Sequence, residues 1–393
     1  MDGQGGIVQT SKHGIVGRLS MNDLAHGETT PQADGHPPDA ASHPGRTWSC
    51  PDRVGKSRVA VITGASSGIG RCTAALFSRR GWRVGLIARS GPGLDQVCED
   101  LALDGGHAVA AVADVSDAAA LERAAGLLED ALGPVDAWVN CAGNGVYGRF
   151  MNVPEPEFDR VTAVTYLGTV NGTRAALRRM QPRDAGTVVN VCSAIAFHGM
   201  PLLSSYSGAK HAVRGFTEEL RRELRRDGSR VRLTTLYPPA VNTPFFSHAV
   251  SHVGKPPRPM RPVYQPEVVA DSIYLAVTSG RPEMQVGGVT VLFALATKLA
   301  PGLVGKAILR LGSAGQMTDS PEAMRLRKPT LFAPSPDPSG IRGPFDDGAR
   351  AFSVQMWASR HRAALAAGLV LLGAGALTAR WLSRGRRRRD RQP

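Results

Sequence analysis

No two cysteines in this chain stand in a C-x-x-C pair, and their total of five is odd. Scattered as Cys50, Cys72, Cys98, Cys141 and Cys192, they argue against zinc spacing and a disulfide framework and fit a reducing compartment. No metal site is expected. Residues 1–55 lack the apolar core of a secretory leader. They are rich in Gly, Pro, His, Asp and Ser, have no hydrophobic periodicity, and are expected to be a disordered tail. Lysine is scarce, with 7 against 40 arginines in a chain of net charge +14. Residues 380–393 carry seven of those arginines and one aspartate, hence +6 of the excess. Beyond Trp381 no aromatics interleave with that cluster, so nucleic acid is not the expected partner.

What is present is a strongly ordered pattern from about residue 57. Arg58 to Ile62 is a short apolar run of the buried-strand type. It leads into Thr63-Gly64-Ala65-Ser66-Ser67-Gly68-Ile69-Gly70 and then a helical stretch from Arg71 to Arg80. Strand, glycine-rich turn and helix form the setting of a phosphate cradle, because glycines admit a pyrophosphate close to the backbone and a helix N-terminus favours the anion. A second strand, Arg83 to Ala88, ends at Arg89, where a carboxylate for a ribose 2′-hydroxyl would otherwise stand. A guanidinium there suits a 2′-phosphate, so NADP(H) is expected in preference to NAD(H).

Strands and helices then alternate. His107 to Val112 runs to Asp114-Val115, Ala118 to Leu132 is an amphipathic helix, and Val135 to Val139 ends in Asn140-Cys141-Ala142-Gly143. Glu155 to Met180 reads as one long helix and Thr187 to Val191 as a strand reaching Ser193. Tyr206 to Arg226 is a helix whose Arg221, Arg222, Arg225 and Arg226 are expected in solvent. Val231 to Leu236 leads into Tyr237 and on to Pro238-Pro239-Ala240-Val241-Asn242-Thr243. Such alternation implies an α/β fold with a doubly wound parallel sheet and a site beyond the strands' carboxyl ends, where every motif falls.

Tyr206 and Lys210 are four apart and share a helix face. An ammonium beside a phenol eases its ionisation, which suits proton exchange with an alcohol or ketone. Ser193 could supply a second hydrogen bond to the same oxygen.

Taken together, these motifs resemble the short-chain dehydrogenase/reductase family over roughly 57–280. The resemblance implies a Rossmann-like sheet of about seven strands and hydride transfer from a nicotinamide. It assigns Tyr206 as general acid/base, Lys210 to the nicotinamide ribose and the Tyr pKa, and Ser193 to the substrate oxygen. It places Asp114 and Val115 at the adenine, Asn140 to Gly143 along the cofactor, and Pro238, Val241 and Thr243 near the carboxamide. Three positions depart from the family pattern: Thr165 stands where many members have an Asn in the proton relay, Cys141 replaces the second Asn of Asn-Asn-Ala-Gly, and Pro239 follows Pro238 in place of Gly.

The domains expected are a tail (1–55), a Rossmann-like domain (56–285), an apolar extension (286–328), a proline-rich linker (329–356), a membrane helix (357–382) and an Arg-rich tail (383–393). The extension is either a substrate-pocket lid or an interfacial segment feeding a lipidic substrate. Ala363 to Ala379 holds no charge, and Trp357 and Trp381 bracket it 24 positions apart, about 36 Å of helix. The trailing arginines argue for a cytoplasmic C-terminus, yet the catalytic domain also needs cytoplasmic NADPH; either the Arg tail is translocated or the helix lies in the interface. The sequence therefore points to a membrane-associated, NADP(H)-dependent oxidoreductase acting on a lipophilic carbonyl or alcohol, with its catalytic domain on the cytoplasmic side. A beta-ketoacyl-type reductase and a cofactor-binding scaffold with little turnover are the alternatives. For assembly, a homodimer and a homotetramer are both open.

Overall fold

The computed structural model describes residues 17–19 and 57–368. Its strands are β1 (Gly17–Leu19), β2 (Val59–Thr63), β3 (Arg83–Ala88), β4 (His107–Val112), β5 (Val135–Asn140), β6 (Val146–Tyr147), β7 (Thr187–Val191), β8 (Arg232–Tyr237), β9 (Val250–Ser251) and β10 (Glu283–Gln285). The main sheet is parallel throughout, in the order β1-β4-β3-β2-β5-β7-β8-β10. Six of its strands are those the alternation predicts, β10 makes the seventh that the family resemblance implies, and β1 is an eighth. It falls inside the stretch expected to be disordered and pairs with β4 at the sheet edge.

The helices are α1 (Gly68–Arg79), α2 (Gly91–Leu103), α3 (Ala118–Leu132), α4 (Glu155–Thr162), α5 (Gly168–Met180), α6 (Ser204–Arg226), α7 (Phe245–His248), α8 (Pro266–Ser279), α9 (Gly288–Leu299), α10 (Pro301–Gly315), α11 (Pro321–Arg325) and α12 (Val354–Arg360). Side chains start several of them: Ser90 accepts from Gly93 N at α2, and Asp117 from Ala119 N and Ala120 N at α3. Each satisfies backbone N–H groups that the first helical turn leaves free. The expected helix over 155–180 runs without a break, with a π-helical turn, Ala163–Leu167, inside it between α4 and α5.

Every residue of β2 and β7 is buried, as expected of central parallel strands covered on both faces. Trp138, Leu121, Leu128 and Met180 are fully buried where β5 meets α3 and α5. Amid that apolar layer runs a polar ladder. Trp138 Nε1 donates to Asn140 Oδ1 (2.8 Å), Asn140 Nδ2 to Asn190 Oδ1 (2.8 Å), and Asn190 Nδ2 to Thr217 Oγ1 (3.0 Å). Asn140 and Asn190 are direct partners across β5 and β7. Arg221 leaves the solvated face expected of it: its guanidinium donates to Leu233 O (3.1 Å) and Thr235 Oγ1 (2.8 Å).

The chain up to Phe352 forms one compact unit and the chain from Ser353 a second. In the second, Ser353 Oγ accepts from Met356 N to start α12. Among the described residues no helix is long and apolar enough to cross a membrane. The expected span over 357–382 is thus not supported there, and its part from 369 onward lies outside the described residues, as does the Arg-rich tail. The stretch read as a flexible linker has no helix or strand over 329–350, but it is bonded along its length to the catalytic unit. Backbone carbonyls, invisible to hydrophobic periodicity, make most of those bonds.

Asn190→Ala removes the acceptor of Asn140 Nδ2 and the donor to Thr217, leaving buried polar groups unpaired at about 1–3 kcal/mol each. Urea unfolding is expected to show a loss of about 3 kcal/mol; a loss below about 1 kcal/mol would contradict the ladder's structural role.

Candidate active site

The sheet's chain order reverses between β2 and β5, so a crevice opens beyond their carboxyl ends. Thr63, the last residue of β2, holds that crevice in shape: its hydroxyl accepts from Cys141 N (3.0 Å) and Ala142 N (3.2 Å). The following turn is packed to backbone contact. A Cβ on Gly70 would fall 2.2 Å from Gly64 O, and one on Gly64, at φ +67°, 2.8 Å from Ala142 Cα. At Gly68 the added atom would meet the Thr243 side chain at 3.2 Å. Only glycine leaves this cradle open above the start of α1, and that fits a dinucleotide's pyrophosphate.

A cavity of about 700 Å³ runs from this cradle past Arg89, Asp114 and Val115 to Ser193, Tyr206 and Lys210. Ser66, Ser67, Ile69, Ala142, Gly143, Pro238, Val241 and Thr243 also line it, as expected. Three candidates do not reach it. Asn140 is turned into the buried ladder and cannot border a cofactor with its side chain. Thr63 acts from behind, through the loop it ties down. Thr165 sits in the π-helical turn, where its hydroxyl donates to Asn144 O (3.2 Å) and accepts from Asn144 N (3.3 Å). It braces the loop after β5.

The candidates Ser193, Tyr206 and Lys210 are brought together at one cavity. Ser193 follows β7 and caps a short turn, its hydroxyl accepting from Ile195 N at 3.3 Å. Tyr206 and Lys210 lie on the first turns of α6, with Nζ 5.6 Å from the Tyr206 ring centroid. Lys210 Nζ donates to Val191 O at 2.8 Å, which fixes the side chain against β7. Burial lowers the Lys210 pKa, while the neighbouring thiols Cys192 and Cys141 raise it. The expected easing of Tyr206 ionisation is not met: burial pushes the phenol above its ordinary value, and the hydrogen bond with Ser193 only partly offsets this. Desolvating a phenolate inside the site costs more than these contacts return. Tyr206 thus holds its proton at neutral pH.

At the adenine end, burial tends to raise the Asp114 pKa, but hydrogen bonds from Arg160 and Ser116 outweigh it and hold the carboxyl below its usual range. Arg160 contacts Asp114 directly and Arg89 lies 3.9 Å away. The Arg89 guanidinium is already engaged, donating to the backbone oxygens of Thr330, Leu331 and Phe332 at 2.5, 3.2 and 2.9 Å.

At the opposite end the cavity is apolar, walled by Phe245, Phe293, Ala296, Val304 and Ile308 from α7, α9 and α10. None of these was singled out from the sequence. The apolarity of 286–311 was the one usable signal, and it did not say which face looks inward.

The short chain dehydrogenase family model matches residues 58–253. An uncharacterized oxidoreductase, YxnA, of Bacillus subtilis is 32% identical over 69% of this chain and 76% of its own. A bovine 3-ketodihydrosphingosine reductase is 35% identical over 48% of this chain and 57% of its own. The NADPH complex of a variant actinorhodin polyketide ketoreductase superposes with a TM-score of 0.52 at 25% identity, over 58% of this chain and 95% of its own. This chain belongs to the short-chain dehydrogenase/reductase family, and is an NAD(P)-dependent oxidoreductase.

Proposed function

We propose that the protein is an NADP(H)-dependent reductase of a lipophilic ketone, reversible as an alcohol dehydrogenase. The observation that carries this reading is one continuous cavity with a phosphate cradle at one end, a protonated Tyr206 midway and aliphatic walls beyond. A bound nicotinamide supplies the hydride. Tyr206 holds the proton destined for the carbonyl oxygen and Ser193 steadies that oxygen, while buried Lys210 positions the phenol and reaches towards the ribose. Thr165 acts indirectly, by fixing the loop that carries Asn144. The ketone reductases among the similar proteins support the substrate class, and beta-ketoacyl thioesters belong among the substrates to be tried.

Catalysis at a membrane surface on the cytoplasmic side is part of the proposal. Leu295, Leu299, Leu303 and Leu309 are exposed on α9 and α10, beside the apolar end of the cavity. Lys298, Lys306 and Arg310 accompany them, and no acid occurs from Met284 to Thr318. An apolar surface flanked by cations suits anionic headgroups.

Tyr206→Phe is expected to lower carbonyl-dependent NADPH oxidation by at least about a hundredfold while nucleotide affinity changes little. Near-normal kcat across a panel of aliphatic ketones and beta-ketoacyl thioesters would remove Tyr206 from its role. If the parent binds nucleotide but turns over none of the panel, the scaffold alternative gains.

Ala88→Asp sets a carboxylate beside the expected 2′-phosphate and should reverse or erase a preference for NADPH over NADH. Titration of both nucleotides against parent and variant decides this, and equal affinities in the parent would show that Arg89 reads no phosphate. For the surface, the full chain should sediment with anionic phosphatidylglycerol vesicles at low salt. Recovery in the supernatant would refute membrane association.

A further inference from the structure

Residues 328–346 carry no helix or strand, yet they are pinned at both ends. At the first, Lys328 N and Thr330 N donate to Ser247 O and His248 O, each at 3.0 Å. The Leu331 side chain is 3% exposed and packs with Val146 and Val161. At the second, Asn242 Oδ1 accepts from Phe345 N (3.1 Å) and Asn242 Nδ2 donates to Asp346 Oδ1 (2.9 Å), which also accepts from Gln265 Nε2 (2.8 Å). Gly343 lies so near that a Cβ there would fall 2.5 Å from Thr243 O. Between the anchors, Ser335, Asp337 and Ser339 line the same cavity as the glycine-rich turn.

The bridging stretch is held by donors at the phosphate end of the site. Gly68 N–H donates to Gly340 O (3.1 Å), Arg71 to Ser339 O (2.6 Å) and Ser90 Oγ to Ser335 O (3.2 Å). Arg89 takes the three carbonyls from Thr330 to Phe332. The segment therefore leaves α7, passes Arg89 and the start of α1, and returns to the loop after β8, lining the cavity on its way. The carbonyls it offers these donors are neutral, while Arg71 is paired with Asp100 and Arg89 lies 3.9 Å from Asp114.

We propose that residues 328–346 are a strap that closes the cofactor cleft: the dinucleotide enters and leaves only when the strap detaches from Gly68 and Arg89, and is retained while it is seated. This rests on the cofactor reading above. Exchange of the nucleotide is then set by opening of the strap, a conformational step of the kind that limits turnover in many enzymes.

The test loads the full-length protein with whichever of NADPH and NADH it binds more tightly and chases with excess unlabelled nucleotide. Release is followed in a stopped-flow instrument by nicotinamide fluorescence. Leu331→Ala and Asp346→Ala loosen one anchor each, and neither residue lines the cavity. Each is expected to speed dissociation at least tenfold, with association also faster, while thermal melting shows both variants folded. A second measurement follows trypsin cleavage after Arg342 in the parent, which nucleotide should slow several-fold as the strap seats over it. Faster cleavage with nucleotide would mean that the strap is displaced by the cofactor, and would overturn the proposal. Exchange rates equal to the parent's in both folded variants would overturn it too, leaving the cofactor reading intact. A parent that binds neither nucleotide would bring down that reading and the strap together.

Discussion

The site depends on a backbone contact: the start of α1 presses against the end of β2 so closely that Gly70 has no room for a single carbon beside Gly64 O. Interior backbones approach this tightly only when neither carries a side chain. Because they touch, the first helical turn presents its N–H end to the crevice, where Gly68 N–H already donates to Gly340 O. The Thr63 hydroxyl extends the constraint sideways, by fastening the loop after β5 to the same strand end. Cradle, loop and catalytic helix all take their positions from there.

Much of this was legible in the sequence, and the reason is local. A glycine-rich turn between a buried strand and a helix can be read from a dozen consecutive residues, and Tyr206 with Lys210 from one helical turn. The alternation also gave six strands of the main sheet, β2, β3, β4, β5, β7 and β8. What escaped was decided by contacts distant in the chain. Asn140 matches a cofactor-bordering motif, but Asn190, fifty residues on, claims its side chain. Thr165 resembles a relay position, yet the π-helical turn aims it at Asn144. The segment after Lys328 reads as a linker because prolines without periodicity resemble one, and its anchors are single carbonyls and one buried leucine. The short β1 has no sequence signal beyond its position.

The electrostatics of the trio follow the same logic. A Tyr-x-x-x-Lys pair on an isolated helix would favour phenolate, but here the whole pair is withdrawn from water. Burial acts on both groups at once, raising the acid's pKa and lowering the ammonium's. The phenol accordingly keeps its proton, and the lysine's main fixed partner is the Val191 carbonyl.

The asparagine ladder between β5 and β7 has a bearing on how the sheet chooses its alignment. Apolar strands such as these, buried on both faces, could slide past one another with little loss of hydrophobic contact, since valine and alanine are nearly interchangeable partners. A shift of one residue would swing Asn140 or Asn190 to the opposite face. It would part the two amides, leaving Asn140 Nδ2 without an acceptor and Asn190 Oδ1 without that donor in the dry interior. The two amides thus act as a register lock at the centre of the sheet, and Ser193, three residues beyond Asn190, inherits its height above the crevice from that lock.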